Sequence, residues 1–170
     1  MTMEATTGLG LSADGVVRTL KELGFTHVVW LPDSEANFMY QVLSRDSQLK
    51  LVQVCREAET MAIAVGLMMG GKQPACLIQN TGLMESGDSL RGLVLDLEIP
   101  MLIMVGYRGW RGGAPMSDSA GHFLEPILDA WGVKHYLIES DADLSRIGEA
   151  WKEAQATSGP VAVLIGREYD

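Results

Sequence analysis

The sequence predicts one α/β domain over residues 1–170, with about six strands in a doubly wound, mostly parallel sheet. Three observations carry that expectation. Short apolar runs alternate along the chain with longer segments in which apolar residues recur at helical spacing. The short runs are apolar almost throughout, as strands covered on both faces must be. Glycine, proline and asparagine mark the places where one pattern gives way to the other. With 47% hydrophobic and 21% charged residues, the 170-residue chain can bury a sizeable core.

In chain order, a start without periodicity reads as disordered, and Ser12 then caps a helix carrying Val16, Val17, Leu20 and Leu23 that stops at Gly24. Residues 27–31 form a buried strand ended by Pro32-Asp33-Ser34, and a helix follows from about residue 35 to 44. Residues 49–54 are the next strand. The stretch from Cys55 to Gly66, rich in small and apolar residues, reads as a buried helix with a carboxylate at its start, and Gly70-Gly71 ends it. Residues 74–79 are a strand, Asn80-Thr81-Gly82 a turn, residues 89–97 a helix and residues 100–105 a continuous apolar strand. A glycine-rich loop over residues 106–121 holds Tyr107, Arg108, Trp110, Arg111 and Pro115. Helices at about 123–131 and 143–156, with strands at 133–138 and 161–165, complete the chain.

The net charge of −9 argues against a nucleic-acid surface, and no block of Lys or Arg rescues that idea. Cys55 and Cys76 lie in apolar runs and read as reduced core residues, with no metal-ligand spacing among Cys and His. No signal peptide and no membrane span is apparent, so a soluble cytoplasmic protein without membrane partners is expected. Phosphate-loop, dinucleotide and nucleophile-elbow motifs are all missing.

Parallel sheets bind ligands beyond the carboxyl ends of their strands. Those ends offer Asp33, Ser34 and Asn37, then Glu57, then Gln79, Asn80 and Thr81, then Tyr107, Arg108 and His122. Each has an ordinary reading beside the functional one. Glu57 and Glu59 suit a first helical turn, where the dipole favours acids. Asp33-Ser34 suits an N-cap, Asn80-Thr81-Gly82 a tight turn, and His122 a capping or packed position as well as an acid–base group. Gln79 is harder to explain without a ligand, because the last residue of a buried strand needs a partner for its amide.

Arg56-Glu57-Ala58-Glu59, with Gly66 nine positions after Glu57, resembles the pyrimidine-binding domain of thiamine diphosphate enzymes. Leu31-Pro32-Asp33-Ser34, Gln79-Asn80-Thr81-Gly82-Leu83 and the run from Ile99 to Gly106-Tyr107-Arg108-Gly109 narrow the resemblance. They look like the small alpha subunits of the sulfopyruvate decarboxylase branch, related to phosphonopyruvate decarboxylase. The resemblance implies the thiamine diphosphate-binding fold of pyrimidine type. It gives Glu57 the contact to a ring nitrogen of the cofactor's aminopyrimidine, favouring the imino tautomer that removes the thiazolium proton. By the same resemblance Pro32, Asn80 and Gly82 are cofactor-binding, while Ser34, Gln79 and Arg108 face a small 2-oxo acid. His122 stands where the family pattern has an arginine, and is assigned to catalysis. A further departure is Glu85, an acid where a neutral run is expected.

Enzymes of this kind hold the diphosphate through Mg²⁺ bound by Gly-Asp-Gly and a later asparagine. Gly87-Asp88-Ser89 is the nearest approach, and no asparagine follows Asn80. The chain itself is therefore expected to bind no metal. A separate beta subunit is expected to supply Mg²⁺ and the diphosphate contacts in a hetero-oligomer, with Met61, Leu67, Met68 and Met69 as interface or core residues. The implied reaction is decarboxylation of sulfopyruvate. Phosphonopyruvate or another short 2-oxo acid, a non-catalytic regulatory domain and a flavodoxin-like protein are the alternatives.

Overall fold

The structure is a computed structural model and describes residues 10–33, 37–114 and 116–167. Ser34, the expected start of the second helix, Pro115 and most of the stretch before Ser12 lie outside the described residues. The element order is α1 (Ala13–Glu22), β1 (His27–Trp30), α2 (Asn37–Leu43), β2 (Lys50–Gln53), α3 (Ala58–Met69), β3 (Pro74–Gln79) and α4 (Asn80–Glu85). It continues with the short α5 (Gly87–Ser89), a π-helical segment (Leu90–Leu95), β4 (Met101–Gly106), α6 (Ser119–Ala130), β5 (Lys134–Ile138), α7 (Ser145–Thr157) and β6 (Pro160–Ile165).

All six strands are parallel, in the order β2-β1-β3-β4-β6-β5. Side chains on each strand alternate between two apolar layers, which is why the strands read as unbroken apolar runs. Val28, Trp30, Leu77, Leu102, Met104 and Val163 pack with α1, α2 and α7. Val29, Cys76, Ile78, Ile103, Val105 and Leu164 pack with α3, α4, the π-helical segment and α6 on the other face. The four inner strands carry this load. At the edges β2 and β5 are only partly buried, and β2 begins and ends on exposed residues.

After β1 the chain crosses to β2 on one side, and after β3 it crosses to β4 on the other. The chain connections thus part between β1 and β3, which opens a crevice at their carboxyl ends. Pairing of Gln79 with Gly106 puts the ends of β3 and β4 level, beside the start of α4.

Four expectations are corrected. Asn80-Thr81-Gly82 is the first turn of α4, which follows β3 with no loop between them. The helix after the glycine-rich loop starts at Ser119, because Asp118 accepts from the Ala120 N–H at 2.9 Å and caps it. Cys55 is exposed at the α3 start, whereas Cys76 is buried and its thiol is pushed up to about 12 by burial. The α3 helix is buried on one side only: Met61 and Ala64 lie in the core, while Ala62, Gly66 and Met69 face outward, Met69 at 76% exposure. No helix among the described residues is long and apolar enough to cross a membrane.

Candidate active site

The α3 start is built so that Glu57 is spared the usual work of a first-turn acid. Glu57 occupies the N-cap position with helical φ −65° and ψ −34°, a conformation from which its side chain makes no capping bond. Glu59 does that work instead, accepting from the Cys55 N–H at 3.0 Å and the Arg56 N–H at 3.2 Å. Glu85 accepts the Ala58 N–H at 2.7 Å and is paired with the Arg56 guanidinium, whose Nε donates at 3.1 Å. The dipole reading therefore describes Glu59 and leaves Glu57 unexplained. Glu57 is half-buried, and no side chain among the described residues bonds its carboxylate.

Its closest packing is against α4. A Cβ at Gly82 would lie 2.3 Å from Glu57 Cγ, 2.8 Å from Cδ and 2.7 Å from Oε1, so only glycine leaves room for this carboxylate. The Gly82 carbonyl accepts the Ser86 N–H at 2.9 Å and also the Oγ of the buried Ser86 at 2.7 Å. The Asn-Thr-Gly signal for a turn is overridden by contacts from elsewhere in the chain.

Asn80 is completely buried, and its amide joins two loops. Its Nδ2 donates to the Arg108 carbonyl at 2.8 Å and its Oδ1 accepts from the Thr81 N–H at 2.9 Å. The structure thus gives Asn80 an internal bond to the β4 loop. Gln79 is half-buried, and its Oε1 accepts from Thr81 Oγ1 at 2.8 Å, which supplies the partner its strand-end position demanded. Pro32 and Asp33 are half-buried at the end of β1, across the crevice.

The segment after β4 is irregular but pinned. Tyr107 is buried, donates to Glu125 on α6 at 2.7 Å and stacks on Trp110 with ring centroids 5.0 Å apart. Burial, reinforced by the Glu125 carboxylate, raises its phenol well above the ordinary tyrosine range. Trp110 Nε1 donates to Glu139 at 2.7 Å. Arg108 is 48% exposed at its side chain and its Nε pairs with Asp118 at 3.0 Å. Gly109, at φ +91°, lies so close to Asp118 that a Cβ would approach its backbone nitrogen to 3.0 Å. Arg111 is exposed.

His122 is exposed in the first turn of α6, one turn beyond Asp118. Asp118 caps that helix and Ala120, Leu124 and Leu128 form its buried side, so His122 is neither its cap nor a packed residue. The structure joins Glu57 to Gly82, Gln79 to Thr81 and Asn80 to Arg108. Asp88 of the Gly-Asp-Ser run is 93% exposed and pairs with Arg91 at 2.8 Å. Sequence reasoning missed Arg56, Asp118, Glu125 and Glu139 as supports of the site, and singled out Glu85 only as a misfit. The signal for Glu85 was its spacing of three from Gly82, readable once both lie on one helix.

The chain is similar to known proteins. The family described as thiamine pyrophosphate enzyme, N-terminal TPP binding domain, matches residues 12–130. The sulfopyruvate decarboxylase subunit alpha of Methanothermobacter thermautotrophicus is 30% identical over 164 residues, covering 93% of this chain and 97% of that one. A Methanosarcina acetivorans protein named sulfopyruvate decarboxylase is 27% identical over 88% of this chain, which spans only 38% of that longer one. Among solved structures, a 2-oxoglutarate:ferredoxin oxidoreductase from Magnetococcus marinus superimposes with a TM-score of 0.70 at 19% identity, over 94% of this chain and 31% of that one. That last likeness concerns the fold.

Proposed function

The chain belongs to the thiamine pyrophosphate enzyme N-terminal TPP-binding domain family, and from that premise we propose that it is the alpha subunit of a decarboxylase acting on sulfopyruvate. In this reading residues 1–170 form one pyrimidine-binding domain, and a beta subunit completes the site in a cytoplasmic hetero-oligomer. The observation that carries it is the state of Glu57: half-buried, released from capping and seated over a glycine that a Cβ would block. A carboxylate kept so, at the sheet edge where ligands enter, suits a hydrogen bond to a ring nitrogen of a flat heterocycle.

Thiamine diphosphate, when bound, supplies the electron sink that loss of CO₂ from a 2-oxo acid requires. The work of this chain is to place its ends. Glu57 holds a proton at a carboxylate oxygen and shares it with the pyrimidine ring. Gly82 keeps the space for that carboxylate, and Pro32 lines the crevice opposite. Asn80 acts by holding the Arg108 carbonyl, and Gln79 presents its amide at the edge between them. Arg108 supplies positive charge for the sulfonate, its guanidinium oriented by the Nε bond to Asp118. His122, in the first turn of α6, is assigned to catalysis, and Ser34 to contact with the substrate.

The beta subunit is assigned Mg²⁺ and the diphosphate. Support for it is the length relation: this chain matches nearly all of a relative named as an alpha subunit but 38% of a relative that carries the decarboxylase name in one chain. The test is to mix the chain with its partner subunit, thiamine diphosphate and Mg²⁺, and to follow CO₂ release from sulfopyruvate, phosphonopyruvate and pyruvate. Release from sulfopyruvate in the complete mixture, and none from the chain alone, is expected. Full activity of the chain alone, or preference for another acid, would overturn the subunit or the substrate assignment respectively.

A further inference from the structure

We infer that Glu85 and Arg56 are positioning residues for Glu57, a clamp across the α3–α4 corner that fixes the direction of its carboxylate. The inference rests on the proposed role of Glu57. Gly82 and Glu85 are one turn apart on α4 and both face the turn that begins α3. Gly82 lies beneath the Glu57 side chain. Glu85 grips the residues on either side of it: one oxygen accepts the Ala58 N–H at 2.7 Å, and the other takes Nε and Nη2 of Arg56.

Two more side chains hold the same turn. Glu59 accepts the Cys55 and Arg56 N–H groups, and Thr60 Oγ1 donates to the Glu57 carbonyl at 2.5 Å. Glu57 is thereby fixed through its backbone and its neighbours, while its carboxylate is left for a ligand. The contribution of Glu85 differs from that of Glu59, because Glu85 bonds the turn to the helix bearing Gly82 while Glu59 bonds within the turn. Without that tie the carboxylate and its glycine seat can move independently.

The clamp also settles the charge. Glu85 brings a second carboxylate to the corner, and Arg56 with the Ala58 N–H holds its carboxyl below the usual range. The acid that departs from the family pattern comes with its own counter-charge.

The test uses the complex with its partner subunit, thiamine diphosphate and Mg²⁺, and compares Glu85→Ala and Glu85→Gln, each alone and combined with Glu57→Gln. Glu85→Ala should lower kcat about tenfold, the low end for losing an outer partner of a functional group, with KM for the acid unchanged. Glu85→Gln keeps an acceptor for the Ala58 N–H and should lose less. In the Glu57→Gln background neither change should lower kcat further. A readout independent of turnover is amide exchange on the chain alone: the Ala58 amide should exchange faster in Glu85→Ala and close to normally in Glu85→Gln. Unchanged kcat in Glu85→Ala, or the same fractional loss in both backgrounds, would overturn the clamp. Full turnover in Glu57→Gln by itself would overturn the reading of Glu57 and the inference with it.

Discussion

Two regions flank the crevice and are held by opposite means. The α3–α4 corner fixes Glu57 with helix termini, a glycine seat and bonds to backbone N–H groups. The segment after β4 fixes Arg108 with side-chain bonds reaching across the fold, from Asn80, Tyr107, Trp110 and Asp118. The first suits a group whose direction must not vary. The second suits the substrate contact proposed for Arg108, since a loop can be re-cut while its anchors stay.

The sharpest way to break this contrast is Gly82→Ala. The new Cβ collides with a side chain that can swing away, and alanine is favoured over glycine in a helix by about 1 kcal/mol. Thermal unfolding should show stability held or slightly raised, while turnover of the complex falls by about 10²-fold through displacement of Glu57. Loss of stability with turnover intact would mean that the seat serves the fold alone.

Asn80→Ala tests the other region. It leaves the Arg108 carbonyl without its buried donor, a loss of about 1–3 kcal/mol readable in denaturant titration. Turnover should change mainly through a higher KM for the acid, as Arg108 loses its anchor, with kcat less affected. A fall in kcat at constant KM would instead tie Asn80 to the Glu57 side of the crevice.

The smallest effect is a pH limb. The phenol of Tyr107 holds its proton more tightly folded than unfolded, so its contribution is complete below the unfolded value of about 10 and is lost as pH rises through the raised folded value. Tyr107→Phe should flatten the alkaline fall in stability measured by thermal unfolding. An unchanged alkaline limb would show that the Tyr107–Glu125 bond is not what holds the loop.

The fold was legible because the inner strands are apolar on both faces and helices such as α1, between Ser12 and Gly24, carry local start and stop residues. What failed to show was everything set by distant partners. Asn80-Thr81-Gly82 has the composition of a turn and forms a helix in which Asn80 bonds the Arg108 carbonyl and Gly82 packs under Glu57. Cys55 follows an apolar run, yet β2 is an edge strand and leaves it exposed. Glu57 could be picked out by its place at a strand end. Glu85, 29 residues after Arg56, could not be matched to it without the fold. The outward position of His122 follows from a cap at Asp118, four residues earlier than the apolar pattern suggested.

The central claim is that Glu57 is the catalytic carboxylate of this chain, and Glu57→Gln in the complex with its partner subunit measures it directly. The account predicts an unchanged fold, most of the affinity for thiamine diphosphate retained, and turnover lowered by about 10²-fold or more. Turnover equal to that of the unaltered complex would contradict it.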